Sequence, residues 1–78
     1  MIKVIFWRKN KEILFDFCNE YQRTPDLNEK YKELNIGKWL IYQKMCIGNK
    51  NDYIYQNLSE NKYVKNYLDN HFKKIKNN

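Results

Sequence analysis

Apolar positions recur with a helical period in three stretches of the chain. In the first, from about Trp7 to Tyr21, Phe6, Trp7, Ile13, Leu14, Phe17, Cys18 and Tyr21 share one face at about 100° per residue. Glu12, Asp16, Asn19 and Glu20 take the opposite face, and Phe15 falls off the stripe, which predicts exposure. Pro25 pushes Thr24 out of the α region, so this helix should stop near Arg23. The second stretch runs from about Ile36 to Ile47, with Asn35 placed to cap its start and Gly48 to end it. Its apolar residues wrap more than half the circumference, which predicts a central helix covered on several sides. The third stretch opens with Ser59 as the cap and runs to about Lys74, with Tyr63, Val64, Tyr67, Leu68, His71 and Ile75 on one face.

The connections are polar. In residues 24–34, Leu27, Tyr31 and Leu34 are the expected pins onto the core, with room for a helical turn around Asn28–Glu33. A second connection covers residues 49–58, with room for one turn after Asp52. Three readings stand open for the first residues: Ile2 and Val4 alternating in a short strand, an extension of the first helix, or the end of a preceding element. The expected fold is therefore all-α: a compact three-helix bundle over residues 7–75, with short extra turns allowed in its connections. Residues 1–6 form an N-terminal arm of uncertain structure, and residues 76–78 a frayed tail.

Composition changes this picture in two ways. Seventy-eight residues make one small domain, which buries about 60% of the surface its unfolded chain exposes. Thirteen aromatic residues of about 150–250 Å² each supply enough apolar area to hold it without staples. Asn, Lys, Ile and Tyr fill 40 of the 78 positions and alanine is absent, as codons of an AT-rich genome would give. A large DNA virus or an AT-rich microbe is the expected source, and basicity alone is then a modest signal. Its distribution says more: residues 1–37 carry seven basic and six acidic side chains, residues 38–78 eight basic and three acidic. The first apolar residues are too few for a signal peptide, and no run approaches the length of about 20 residues that spans a bilayer. A soluble, intracellular protein (cytoplasm, nucleus or viral factory), not secreted, is expected. Cys18 and Cys46 lack metal-ligand spacing and both fall on apolar helical faces, as small buried hydrophobes with reduced thiols.

Trp7, Phe17, Tyr21, Arg23-Thr24-Pro25, Tyr31, Ile36-Gly37-Lys38-Trp39-Leu40, Gln43-Lys44, Leu58-Ser59 and Val64/Leu68 form a frame that resembles the helicase-associated domain, a small all-helical module. The Gly-x-Trp-x-x-x-Gln-Lys run is its most specific part, and the resemblance spans roughly Trp7 to Leu68. It implies a nucleic-acid-binding accessory role without catalysis. The chain departs from the pattern at Gln22-Arg23, where the family has Gly-His or Gly-Arg, and at Asn70-His71-Phe72, where it often closes on Gly-Phe-x-Trp.

Candidate contacts follow from charge and position. By the helical period Lys62, Lys65, Lys73 and Lys76 lie within about 80° of arc on the third helix, with Asn66 alongside and Asp69 interrupting. Such a ridge can track phosphates while Asn66 reaches a base edge; its alternative is a solvated polar face. Lys38 sits beside Gly37 at a helix start, where free amides favour an anion, unless Gly37 serves close packing. Lys44 should point away from the core, a point charge where the family usually has Arg. Arg23 either binds phosphate or caps the last carbonyls of the first helix. Trp39 is expected in the core in preference to a base-stacking platform, Gln43 hydrogen-bonded to the 24–34 connection, and His71 at the core or its boundary.

No enzyme constellation, cofactor motif or metal motif is present in the sequence. The expectation is a non-enzymatic nucleic-acid-binding module, with little sequence specificity alone, that needs no cofactor. DNA is expected in preference to RNA as partner, with a helicase or other protein as a further one, no membrane, and a monomer or weak oligomer. The alternative is a protein–protein interaction or assembly module, built on Phe15, Ile41, Met45 and Phe72 off the main stripes.

Overall fold

The computed structural model describes the backbone of residues 2–76 and the side chains of residues 6–73. Four helices follow one another in chain order: α1 (Ile2–Tyr21), α2 (Ile36–Cys46), α3 (Tyr53–Leu58) and α4 (Lys62–Lys76). The described residues are all-helical with no strand. The expected count of three becomes four because the turn allowed after Asp52 is a helix of its own. Residues 2–6 of the N-terminal arm belong to α1, so of the three readings the extension of the first helix is the one observed. Lys76, expected in a frayed tail, is instead the last residue of α4; residues 77 and 78 and the side chain of Ile75, expected on a buried face, lie outside the described residues.

The core is Leu14, Phe17 and Cys18 of α1, Ile36 and Leu40 of α2, Ile47, Tyr55 and Leu58 around α3, and Val64 and Leu68 of α4. α1 packs against both α2 and α4, and α3 packs against α4. Burial pushes the Cys18 thiol up to about 12, so it stays a neutral apolar side chain. Both cysteines are free thiols, but Cys46 is exposed, contrary to its expected burial. Phe15 also departs from expectation: it is half-buried against the core, with the Lys11 ammonium 5.6 Å from its ring centroid.

α2 is not the covered central helix its composition suggested. It buries one face only, Ile36, Gly37, Leu40 and Gln43, and leaves Tyr42, Met45 and Cys46 to solvent. Ile and Tyr are frequent throughout this chain, so an apolar residue on a helix is weak evidence here that the position is buried. Asn35 caps α2 as expected, its Oδ1 accepting from the Lys38 amide at 3.1 Å. The helix ends at Ile47 in extended conformation rather than on a left-handed Gly48. The following loop is closed by Asp52, whose carboxylate accepts from the Gly48 and Asn49 amides. Nor does Ser59 cap α4. Asn61 does so, its Oδ1 accepting from Tyr63 and Val64 while its Nδ2 donates to Asn19 of α1 at 3.0 Å.

The connection after α1 is built from local turns. α1 stops at Tyr21 with Gln22 in the left-handed region at φ 57°, its amide donating to the Cys18 carbonyl. Instead of a helical turn at 28–33, Tyr31 and Leu34 exchange two backbone hydrogen bonds across Lys32 and Glu33, both at positive φ. Tyr31 and Leu34 pin the connection as expected, but Leu27 is exposed.

Gly37 is where this connection meets α2. A Cβ there would lie 1.7 Å from the Asp26 carbonyl oxygen and 2.8 Å from the Leu27 carbonyl carbon. Neither neighbour is the end of a flexible side chain, so the clash cannot be relieved cheaply. Gly37→Ala is expected to destabilise the fold by at least the about 1–3 kcal/mol typical of overpacking, lowering the melting temperature by about 4–8 °C per kcal/mol. Gly48→Ala, whose Cβ would meet only the Asp52 carboxylate at 3.4 Å, is the control and should change little. Thermal unfolding followed by circular dichroism separates the two; equal melting of Gly37→Ala and wild type would refute the close approach.

Candidate functional site

The residues expected to contact a ligand divide into those that fold the chain and those left available. Arg23 belongs to the first group. Its Nη1 and Nη2 each donate to a Glu29 carboxylate oxygen at 2.8 Å, and its Nη1 also donates to the Thr24 carbonyl. The guanidinium lies over the Phe17 and Tyr21 rings, 5.1 and 5.9 Å from their centroids. Neither expected role matches this arrangement: Thr24 lies beyond the end of α1, and the planar fork is spent on a carboxylate of its own chain. The Arg23 fork, with the Asp26 amide as a second donor at 3.0 Å, holds the Glu29 carboxyl down at about 2.

The start of α2 is likewise closed. Its first four amides all have partners: Ile36 donates to Leu34 O, Gly37 to Glu29 O, Lys38 to Asn35 Oδ1 and Trp39 to Asn35 O. The anion site expected beside Gly37 needs free amides, and the folded connection consumes them. Lys38 itself is exposed on the outward side of α2 in line with Tyr42 and Met45, about 120° around the helix from Lys44.

Gln43 is buried, but not against the connection. Its Oε1 accepts from the Trp7 indole N–H at 2.8 Å, tying α2 to α1 across 36 residues of sequence. The Trp7 ring lies 5.9 Å from Trp39 and 5.8 Å from Tyr53, centroid to centroid. Trp39 packs against the core as expected.

α4 carries most of what remains. Lys62, Asn66, Asn70 and Lys73 are exposed along its outward side. Lys65 is exposed too, but its ammonium donates to Asp69 Oδ2 at 2.9 Å. Asp69 is a structural hub rather than a mere interruption of the ridge. Its Oδ1 accepts from the Tyr55 hydroxyl of α3 at 2.5 Å and faces Lys50 at 3.7 Å. The Tyr55 hydroxyl first and the Lys65 ammonium second hold its carboxyl below the usual range. The side chain of Lys76 lies outside the described residues.

On the flank of α4 nearer α2, cations and rings alternate. The Lys62 ammonium lies 5.0 Å from the Tyr63 centroid, and the Lys44 ammonium of α2 lies 5.0 Å from that of Tyr67. Lys44 is thus half-buried against α4 rather than pointing away. The contact of the exposed Lys62 is worth about 0.5–1 kcal/mol, and that of the half-buried Lys44 somewhat more. Lys44, Tyr67, Asn70 and His71 line a groove of about 280 Å³. Among the described residues no carboxylate comes within 4 Å of the Lys44, Lys62 or Lys73 ammonium. The structure therefore gathers Lys44, Lys62, Asn66 and Lys73 around α4, adds Lys65 with its charge already met, and leaves Lys38 and Arg23 in other settings. Tyr63, Tyr67 and Asn70 were missed as site residues. Periodicity assigned both tyrosines to the buried face, and only their hydroxyls and neighbouring lysines hinted at half-exposed positions.

The Glu29 shift has a testable consequence. A carboxyl lowered on folding stabilises the fold fully above its unfolded value, near the ordinary 4.5, and that contribution is lost as the pH falls toward 2. In an NMR pH titration Glu29 should titrate near 2 in the wild type. In Arg23→Gln it should move most of the way back to 4.5, the Asp26 amide retaining a smaller part of the shift. A midpoint that ignores the substitution would show that Arg23 does not hold the carboxylate in solution.

No helix among the described residues is long and apolar enough to cross a membrane. Comparison with models of protein families, with curated proteins and with solved structures finds no match to this chain.

Proposed function

We propose that this protein is a non-catalytic nucleic-acid-binding module that grips backbone phosphates along α4 with little base specificity, as the helicase-associated resemblance implies. The observation that carries the proposal is the set of three ammonium groups, Lys44, Lys62 and Lys73, around one helix without carboxylate partners among the described residues, while Lys65, Lys50 and Arg23 are neutralised by their own chain. A polyanion offers such cations their missing counter-charge and releases its own bound ions on contact. Asn66 and Asn70 stand beside them with amides that both donate and accept.

Two further features support the resemblance behind this proposal. Gln22 occupies the place of the family's Gly and takes φ 57°, a backbone conformation that glycine adopts without cost. The most specific residues of the frame also converge, with Trp7 bonded to Gln43 and its ring 5.9 Å from that of Trp39 at a tilt of 51°. In this proposal DNA is the preferred partner, inside a cell, and a helicase or similar enzyme is the protein it would assist.

Fluorescence anisotropy with labelled strands and duplexes at several salt concentrations tests the proposal. Three engaged cations predict a slope of log K against log salt of roughly −2 to −3. The triple variant Lys44→Glu, Lys62→Glu, Lys73→Glu should abolish binding, while Lys65→Gln should leave most of it. Absence of binding at low salt, or indifference to the triple variant, would reject this face.

A second proposal, an interaction module, draws on the outward side of α2, where Tyr42 and Met45 are 69% and 76% exposed. The patch expected from the sequence does not form: Phe15, Ile41 and Phe72 are half-buried, and only Met45 stays open. Light scattering over a concentration series discriminates. On this proposal wild type is a stable dimer without affinity for nucleic acid, and Tyr42→Ser with Met45→Ser is a monomer; a wild-type monomer that binds nucleic acid rules it out.

A further inference from the structure

The flank of α4 nearer α2 contains more than phosphate-binding charge. Tyr63 and Tyr67 are four residues apart, so their rings stand one above the other on the same side, about 6 Å apart along the axis. Each is half-buried, and each has an ammonium from a different place in the sequence 5.0 Å from its centroid. A groove opens beside Tyr67, bounded by Lys44, Asn70 and His71, with room for one planar base.

A duplex gains little from this arrangement. Its base faces are already stacked inside the helix, so it meets the flank only as a row of phosphates. An unpaired strand brings both kinds of partner, since its bases present open faces to aromatic rings while its backbone presents phosphates to lysines. Resting on the nucleic-acid proposal above, we infer that the preferred ligand is a single strand, with neighbouring bases stacked on Tyr63 and Tyr67.

On binding, the two ammonium groups exchange partners. Base stacking is the stronger interaction and takes the ring face, and the displaced Lys62 and Lys44 side chains turn to the flanking phosphates. The free protein thus keeps its rings covered by cations that the ligand itself needs. Asn70 offers the base seated by Tyr67 an amide donor and an amide acceptor. Stacking serves any base, so this arrangement gives strand preference without sequence preference.

The experiment compares labelled oligo-dT, oligo-rU and a hairpin duplex of equal length at low salt. A single strand should bind at least about tenfold tighter than the duplex, and the dT and rU arms report whether the strand is DNA or RNA. Tyr63→Leu and Tyr67→Leu should each weaken strand binding by about 5- to 150-fold, whereas the Phe variants keep the ring and stay within about twofold. Duplex binding should be indifferent to all four. In the wild type, NMR signals of the Tyr63 and Tyr67 rings should move upfield on adding oligo-dT or oligo-rU, a readout independent of how the Leu variants fold. Equal affinity for strand and duplex, or unmoved ring signals in a saturated complex, overturns the inference. If Lys44→Glu still weakens duplex binding in that case, the phosphate-binding proposal survives it. Binding to none of the three ligands overturns both.

Discussion

The placement of α2 against α1 is the constraint on which the rest of this fold depends, and two polar contacts fix it. At one end the connection from α1 comes so close to Gly37 that no side chain fits, and its backbone satisfies the first amides of the helix. At the other end the Gln43 amide accepts from the Trp7 indole. A hydrogen bond of this kind contributes only about 0.5–1.5 kcal/mol net, but a buried amide left without a partner costs about 1–3 kcal/mol. The asymmetry favours one register of α2 over its neighbours. That register turns Lys44 toward Tyr67 and Tyr42 toward solvent.

Much of this architecture was legible along the chain, and the failures have physical causes. The helical stretches, the Asn35 cap and the core placement of Leu14, Phe17, Cys18, Leu40 and Leu68 follow from periodicity and cap chemistry. Pro25 and the residue before it could only bound the end of α1. The actual stop, a left-handed Gln22, uses a residue with no special preference for that conformation. Lys32 and Glu33 likewise take positive φ without being Gly or Asn, so nothing in their identity announced the tight turn between Tyr31 and Leu34. Ser59 and Asn61 are both good caps two positions apart. Only tertiary contact, the bond from Asn61 to Asn19, distinguishes them.

The site was legible in its charge and not in its geometry. Spacing alone placed Lys62, Lys65 and Lys73 on one side of α4, and the Lys65–Asp69 pair four apart is the sort of contact a helix makes by itself. What spacing cannot contain is the partner from another element. Tyr55 reaches Asp69 from α3, Lys44 reaches Tyr67 from α2, and Glu29 reaches Arg23 from within a folded loop. Contacts of this kind, outside the helical period, decide which cations are already neutralised. Arg23, expected either to bind phosphate or to cap α1, has both arms of its fork on Glu29.

Charge around α4 is therefore allocated rather than spread. Asp69 draws Lys65 and Lys50 to one side of α4 and joins α3 to α4 through Tyr55. On the other side the cations rest on rings, a contact that covers apolar surface without cancelling charge. A carboxylate there would form an ion pair and cancel the charge. A tyrosine ring holds the ammonium only loosely and exposes a flat apolar face when the ammonium leaves. A chain rich in Lys and Tyr can build such a surface from its commonest residues. The composition that weakens any argument from basicity alone therefore gives the position of those lysines its meaning.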